Sequence, residues 1–576
     1  MQRAAKEYLQ SYFQNNYQYE IPFFQRAYVW KEDQWAPLYE HITAEVESFK
    51  SGTSSEHFVG TIITKQLPQI SFAVSPLQLV DGQQRLTTTA ILLKALADTC
   101  SGDLPNLHTS LLNYLCFKDT QGVTHFRIKH SRADTPFFDK VMKAESSVDV
   151  PPENNRIVEA YRFFVGQFAP LSDADRELYA NVILQRLPLI AMFLGENDDE
   201  QEIFDTINSL GVRLSVAELL KNYIFRDDAL KPEYVQLWSS EFEDDDDDLK
   251  FWNREKTAGR VKRTNHELLL YTVLIIETGK EVRMDKLFAE YKGYMKSMDT
   301  SAKRAFLERL KAHAETYRQF PGYEELNEIA FGEAEKRVFH VIEYLETTTV
   351  YPLLLFLYDR LSDVPNRLKA LSLIESYLVR RLVSKLTSKN YNRLFIQIMQ
   401  DLKSKSAVDA EALESVLLSY TDDSSRFPTD QEFQKGFRSA YLYNKYAQEV
   451  LFIIALSHLN PRLTDRHRLS TESYSVEHMM PKEWRAHWKV PGMTEEQKAD
   501  RDWTLKTMGN LTLVTGSMNS TLRNGAWTKK RKKLREHSSL KVTVDYLELE
   551  NWDEVAIASR ADDLATKAKE VWPMPV

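Results

Sequence analysis

"TESYSVEHMMPKEW", residues 471–484, places His478 directly after Glu477 and runs into two methionines and a proline. Alone it reads either as a strand end beside a turn or as a histidine placed for chemistry. The choice depends on residues 507–537, TMGNLTLVTGSMNSTLRNGAWTKKRKKLREH. There LTLV (511–514) alternates and is β-prone, so it can pair with the segment ending at His478. Helical character begins near Ser517 and ends in the basic run KKRKK, residues 529–533. Met479 and Met480 read as hairpin packing.

Strand, loop, strand and helix is the plan of a ββα-metal (HNH) nuclease site. Hydrolysis of a phosphodiester there asks for a base with a suitable pKa, a hard cation on oxygen ligands, and a group that fixes the imidazole. His478 is the candidate base. Glu477 offers a carboxylate, which on a strand faces the other way unless the strand ends there, as Met479-Met480-Pro481 suggests it does. Asn519 offers an amide oxygen at the helix start, and Asn510 can hold either the loop or the imidazole. Lys529, Lys530, Arg531, Lys532 and Lys533 are candidate contacts to DNA phosphates. His487 and Trp488 read as a loop packed on the hairpin. Arg380 and Arg381 read as contacts to DNA or as a helix face bridging domains.

A second informative stretch is LQLVDGQQRLTTTAILL, residues 77–93. A short strand runs into DGQQR, read as a loop, and then into a helix from Leu86. Free N–H groups at a helix start suit an anion. Arg85 adds a fixed cation, Gln83 and Gln84 add neutral hydrogen bonds, and Thr87 and Thr88 lie in reach of a phosphate or a cap. Asp81 can hold magnesium, orient Arg85 or position a water. The P-loop pattern is absent. These residues alone leave a phosphate site and a structural turn both open.

Around these motifs the chain of 576 residues is too long for one ordinary core. An α+β region opens it: Pro22 makes IPFFQRAYVW (21–30) start extended, and HFVGTIITKQ (57–66) reads as a strand. Helix dominates from about residue 100. In QEIFDTINSLGVRLSVAELLKNYIF (201–225), Gly211 breaks the helix and Ser215 with Glu218 restarts it as a capping box. The polar stretch 461–473 marks a boundary, which gives 1–230, a helical 231–460, and 461–576. The net charge of −9 weighs mildly against a nucleic-acid binder, yet residues 501–540 carry nine Lys/Arg against two Asp/Glu. EFEDDDDD (241–248) reads as a solvated loop. Cys100 and Cys116 are the only cysteines, so neither a disulfide framework nor a cysteine-based zinc site is expected. Apolar runs too short to span a bilayer and the lack of a signal-like N-terminus point to a cytoplasmic protein without a membrane partner.

IPFFQRAYVW, HFVGTIIT and LVDGQQRLTT together resemble the N-terminal domain of GmrSD-type restriction enzymes, a group that includes SspE-like and BrxU-like proteins. Gln25, Arg26, Tyr28 and Trp30 match its QR segment, and Asp81 to Arg85 its DGQQR motif. Phe204, Asn208, Gly211, Leu214, Lys221 and Asn222 match a downstream element, with Leu210 a departure before Gly211. E-H-x-x-P, G-N-L-T-L and the later N-S resemble the HNH domain of the fused enzymes. The resemblance implies a mainly α multidomain protein with a ParB/sulfiredoxin-like α+β N-terminal domain and a C-terminal ββα-metal domain. It implies nucleotide binding at Gln25, Arg26, Asp81, Gly82, Gln83, Gln84, Arg85 and Thr87. It also implies His478 as base, Glu477 and Asn519 as metal ligands and Asn510 as a structural asparagine. His537 is a poor match to the third histidine of many such sites, so the set is His-Asn-Asn, with Ser475 or Asn524 as further contributors. The implied activity is an NTP-hydrolysing endonuclease or nickase of type IV anti-phage defence. Its cofactors are Mg²⁺ or Mn²⁺ and one of GTP, UTP, CTP or ATP. Its partner is double-stranded DNA, phage-derived or modified, and homodimerisation is left open. The rival readings are a nucleotide-switched DNA-binding regulator that does not cut, and an HNH-type RNase or toxin.

Overall fold

The structure is a computed structural model. It describes the chain except for residues 1–2, 15–16, 23–24, 26, 54–57, 68–74, 120, 131–133, 196–214, 259–260, 460–466, 487, 489, 523 and 576. Arg26, Phe204, Asn208, Leu210, Gly211, Leu214 and His487, singled out above, therefore lie outside the described residues. The chain divides into two compact units, Met1–Phe225 and Arg226–Val576.

The first unit is built on one mixed sheet. Its strands are β1 (Arg3–Tyr8), β2 (Tyr17–Glu20), β3 (Gly60–Gln66), β4 (Ser75–Asp81), β5 (Ile128–Lys129) and β6 (Pro188–Leu194), in the order β1-β6-β3-β4-β2-β5. β6 runs parallel to β3 and antiparallel to β1, while β4 runs antiparallel to β3 and parallel to β2. The β-branched run TIIT supplies β3, as its composition predicts. Among its helices are α1 (Glu32–Lys50), α2 (Gln83–Thr99), α3 (Arg156–Phe168) and α4 (Asp173–Arg186). α2 is buried on nearly every side, and its Leu86, Ile91 and Leu93 pack with Tyr19, Tyr161 and Phe164. Its buried Lys94 is matched by Asp98 at 2.6 Å, which also accepts from Tyr161 Oη at 2.5 Å. The helix starts earlier than its sequence suggests: Gln83, Gln84 and Arg85 are its first turn, not a loop. Gly82 makes this possible, because its φ of +95° turns the strand directly into the helix. The Ser215–Glu218 capping box opens the helix Val216–Ile224 as expected.

The second unit is mainly helical. Among its helices are α5 (Val364–Val383), α6 (Asn444–Ser457), α7 (Gly516–Leu522), α8 (Trp527–His537) and α9 (Glu554–Val571). Strands β7 (Tyr474–His478) and β8 (Leu511–Thr515) form an antiparallel pair, with His478 opposite Leu511 and Ser475 opposite Val514. One face of the pair, through Val476, Leu511 and Leu513, packs in the core formed by Val450, Leu451 and Ile454 of α6 and Ala561 and Leu564 of α9. On the other face Val514 packs with Met518, Leu522, Trp527 and Leu534. Residues on both sides of position 461 thus share one core. A polar cross-brace runs the same way: the buried His340 ring meets Glu449 Oε1 at 2.8 Å through Nδ1 and Thr471 Oγ1 at 2.7 Å through Nε2.

Two expectations for this unit change. Arg380 and Arg381 are fully buried. Arg381 donates to the carbonyls of Thr387, Ser424 and Arg426, and Arg380 pairs with Asp430. The acidic stretch 241–248 is not a simple solvated loop. Asp245 caps the helix Asp246–Asn253, and Arg318 bridges Glu241 and Asp248 at 2.6 Å each. No helix among the described residues is long and apolar enough to cross a membrane.

Candidate active site

The hairpin β7/β8 and the two helices after it bring the C-terminal candidates together. β7 includes both Glu477 and His478, so the two alternate in direction along the strand. Glu477 is buried against α8, where Lys530 contacts its Oε1. Lys530 Nζ also donates to the main-chain carbonyl of His478 at 2.7 Å. Burial pushes the Glu477 carboxyl above its ordinary range, and the Lys530 ammonium opposes that shift. Burial, with the charges of Lys482 and Lys530, lowers the His478 imidazole to about 4. The ring is therefore neutral at neutral pH, the form that accepts a proton.

Asn510 is completely buried and holds the loop, not the imidazole. Its Oδ1 accepts from Met480 N at 2.8 Å and from Trp552 Nε1 at 3.0 Å, and its Nδ2 donates to Met480 O at 2.8 Å and Leu505 O at 3.0 Å. Asn519, on α7, donates through Nδ2 to Ser475 Oγ at 2.9 Å and Val476 O at 3.2 Å. Ser475 thus contributes by orienting Asn519, whose amide oxygen is not used in either contact. Asn524 is exposed. Among the described residues no group of three or more His, Cys, Asp and Glu could hold a metal. The donor set is smaller: one carboxylate and one amide oxygen, both hard donors, with a buried carboxylate that already draws a cation in the form of Lys530. Both are oxygen donors of the kind a hard divalent ion takes, and water and phosphate oxygens would have to complete its shell.

The basic run divides. Lys529 and Lys532 are exposed, Arg531 donates to Leu549 O at 2.9 Å, and Lys533 donates to Thr521 O at 3.2 Å. Lys530, expected at a phosphate, is instead buried against Glu477. Its place was legible after all, since Trp527, Lys530 and Leu534 recur at helical spacing and form the inward stripe of α8. Trp488 packs as expected, donating from Nε1 to Gly525 O at 3.1 Å. Met479 and Met480 are buried in the hairpin core.

The first unit assembles the other candidates around Gly82. A Cβ at Gly82 would lie 3.0 Å from Ile62 Cγ1 and 3.1 Å from Thr61 O, so the turn lies directly on β3. Arg85 donates to Thr61 O at 3.0 Å and stands 3.9 Å from Asp81, both side chains being about one-third exposed. These two face outward. Gln84 is spent on the scaffold: Oε1 accepts from Val29 N at 2.9 Å and Nε2 donates to Ala27 O at 3.3 Å. Gln25 Nε2 donates to Leu79 O at 2.8 Å. Gln83 is buried. Thr87, expected near a phosphate, is fully buried with Oγ1 2.8 Å from His130 Nε2. Tyr28 completes this network, since its Oη lies 2.6 Å from Thr88 Oγ1 and accepts from Trp35 Nε1 at 2.8 Å. Its N–H donates to Asp134 Oδ2 at 2.8 Å. Burial lowers His130 to about 3 and raises Asp134 to about 6. His130 and Asp134 carried no local signal in the sequence, because only the tertiary fold brings them to Thr87 and Tyr28.

Residues 7–225 match the family model for the GmrSD restriction endonuclease N-terminal domain, and residues 427–567 match that for the C-terminal domain. The two spans together cover more than half of the chain. The protein is an endonuclease of the restriction class, of the type IV kind that serves in defence, and its substrate is DNA. More narrowly, it belongs to the GmrSD family. No curated protein matches the chain. The C-terminal match begins at Phe427 and so takes in α6, the helix on which the hairpin packs.

Proposed function

We propose that the β7/β8 hairpin with α7 and α8 is an HNH (ββα-metal) centre that cuts or nicks DNA. The first unit, in this reading a ParB/sulfiredoxin-like domain, binds and hydrolyses a nucleoside triphosphate. The observation that carries the nuclease reading is geometric: the buried carboxylate Glu477 and the imidazole His478 are the last two residues of one short strand. Asn519 is tied to the same strand through Ser475 and Val476.

His478 accepts a proton from the attacking water as its oxygen bonds to phosphorus, and the bond from phosphorus to the leaving oxygen breaks. Asn510 fixes the turn after His478 and so sets where the imidazole can stand. Glu477 and Asn519 would hold Mg²⁺ or Mn²⁺, which when bound supplies charge stabilisation at the phosphate and the leaving oxygen. Lys529, Arg531, Lys532 and Lys533 line the outer side of α8 for the DNA backbone.

In the first unit, Asp81 and Arg85 are the groups that reach the nucleotide, beside the N–H groups that open α2. Gln25, Gln84 and Thr87 support that turn from beneath. Modified DNA is the substrate that the family reading favours.

The test is nicking of supercoiled plasmid with and without Mg²⁺ or Mn²⁺, scored beside NTP hydrolysis. Metal-dependent nicking that His478→Ala abolishes, while NTP hydrolysis persists, supports the reading. DNA binding without cleavage across metals and modified substrates overturns it in favour of a switch, and preference for RNA in competition turns it toward an RNase.

A further inference from the structure

Lys530 is one of five consecutive basic residues, yet it alone among them is buried, at 1% exposure. An ammonium withdrawn from water this far needs a specific reason, because its desolvation opposes folding unless it is paired. Its partners are the Glu477 carboxylate and the His478 main-chain carbonyl. A single side chain from α8 therefore grips both neighbours at the end of β7.

We infer that Lys530 is a positioning residue of the nuclease centre, an internal cation that stands on Glu477 before a divalent ion does and ties the His478 backbone to it. This rests on the nuclease reading above. Glu477 is charge-balanced and held in place without metal, so the centre does not have to be assembled when metal arrives. The arriving ion has to share Glu477 with an ammonium, and like-charge repulsion makes it bind more weakly than it would to the carboxylate alone. The outward residues of α8 are left for DNA.

The experiment uses the full chain and Lys530→Met, which keeps the length of the side chain and removes its charge. Three quantities are read: Mn²⁺ affinity by calorimetry, nicking rate at saturating Mn²⁺, and metal-free DNA affinity over a range of salt. The expected result is Mn²⁺ bound about tenfold more tightly, with the nicking rate reduced about 10- to 100-fold. DNA affinity and its salt dependence stay at the wild-type level. Neither a phosphate contact nor a purely structural lysine gives that combination. Wild-type Mn²⁺ affinity and nicking, weaker Mn²⁺ binding in a folded variant, or a flatter salt dependence of DNA binding each overturn the inference.

Lys530→Arg, which keeps the charge on a wider head group, is expected to hold Mn²⁺ affinity near wild type while nicking falls; wild-type nicking counts against the inference. Should both variants fail to fold, lysine side-chain NMR of the wild-type protein reads the same contact. Mn²⁺ then broadens the Lys530 ammonium signal, and an unchanged signal overturns the inference. If wild-type protein neither binds Mn²⁺ nor nicks DNA, the nuclease reading falls and this one with it. If wild type does both and Lys530→Met matches it, this inference alone falls.

Discussion

Asn510 and Met480 are joined by two hydrogen bonds, Met480 N to Asn510 Oδ1 and Asn510 Nδ2 to Met480 O, both 2.8 Å. The amide bonds the loop just after His478 as a second strand would. Replacing it by alanine leaves the Met480 N–H and the Trp552 indole N–H without their acceptor in a dry interior. Asn510→Ala is expected to lower stability by about 2–4 kcal/mol and to lose nicking even below its melting temperature. Denaturant unfolding and a plasmid assay at low temperature check the two halves separately.

His478→Ala removes the proposed base and should lower cleavage about 10²- to 10⁴-fold, with NTP turnover unchanged. Because the imidazole is held down to about 4, the neutral form persists well below neutral pH. In metal-loaded protein under single turnover, the acid limb of cleavage is expected to fall below pH 5, not near 6.5. A midpoint near 6.5 in a pH–rate profile would show that burial, with the two lysines, does not act on this ring as described.

Arg85 and Thr87 are two residues apart and should behave differently. Arg85→Ala removes an outward cation and is expected to reduce NTP hydrolysis about 10²-fold or more with little change in melting temperature. Thr87→Ala empties a buried hydroxyl position against His130 and is expected to cost about 1–2 kcal/mol of stability. Its direct effect on nucleotide affinity should be small. Equal losses of nucleotide affinity in both variants would contradict the placement of Thr87.

Lys532→Ala with Lys533→Ala removes two outward charges of α8. DNA affinity should fall for all sequences alike, and the logarithmic salt slope should flatten by about 1–2. A fluorescence-anisotropy titration over salt concentration measures both, and a loss restricted to one sequence would count against phosphate contact.

Arg426 holds the Glu432 carboxyl down to about 2 by hydrogen bonding. A folded pKa depressed below the unfolded value stabilises the native state above the unfolded pKa, and the benefit is lost as pH falls through the folded one. Thermal melts of wild type and Glu432→Gln should therefore differ most near neutral pH. They should converge between about pH 4.5 and 2.

The sequence exposes much of this arrangement where local chemistry and tertiary placement agree. TIIT becomes β3 and the Ser215–Glu218 box opens its helix because those signals are local. Asn519 on α7 bonds to the strand that carries Glu477 and His478, but that strand runs on through His478 and does not end before it, so the two side chains alternate in direction. DGQQR misleads because its glycine permits a conformation that lets a helix begin at once, while its polar residues read as a loop. Thr87 and Gln84 look like ligands from their position, but their hydroxyl and amide are taken by residues far along the chain. The basic run hides Lys530 because composition averages over a helix whose two faces differ. Trp527 and Leu534 on either side of it mark which face turns inward.

The cross-brace from His340 through Thr471 and the apolar underside of the hairpin bear on how this enzyme can be taken apart. Val476, Leu511 and Leu513 rest on α6, so a fragment beginning at residue 461 would carry a naked greasy face and would have lost both halves of the His340–Glu449 pair. Such a piece is poorly suited to live alone. A protease that clips the chain ahead of β7 would accordingly silence the cutter and not set it loose, a useful safeguard for a cell that keeps a DNA-cleaving protein beside its own chromosome.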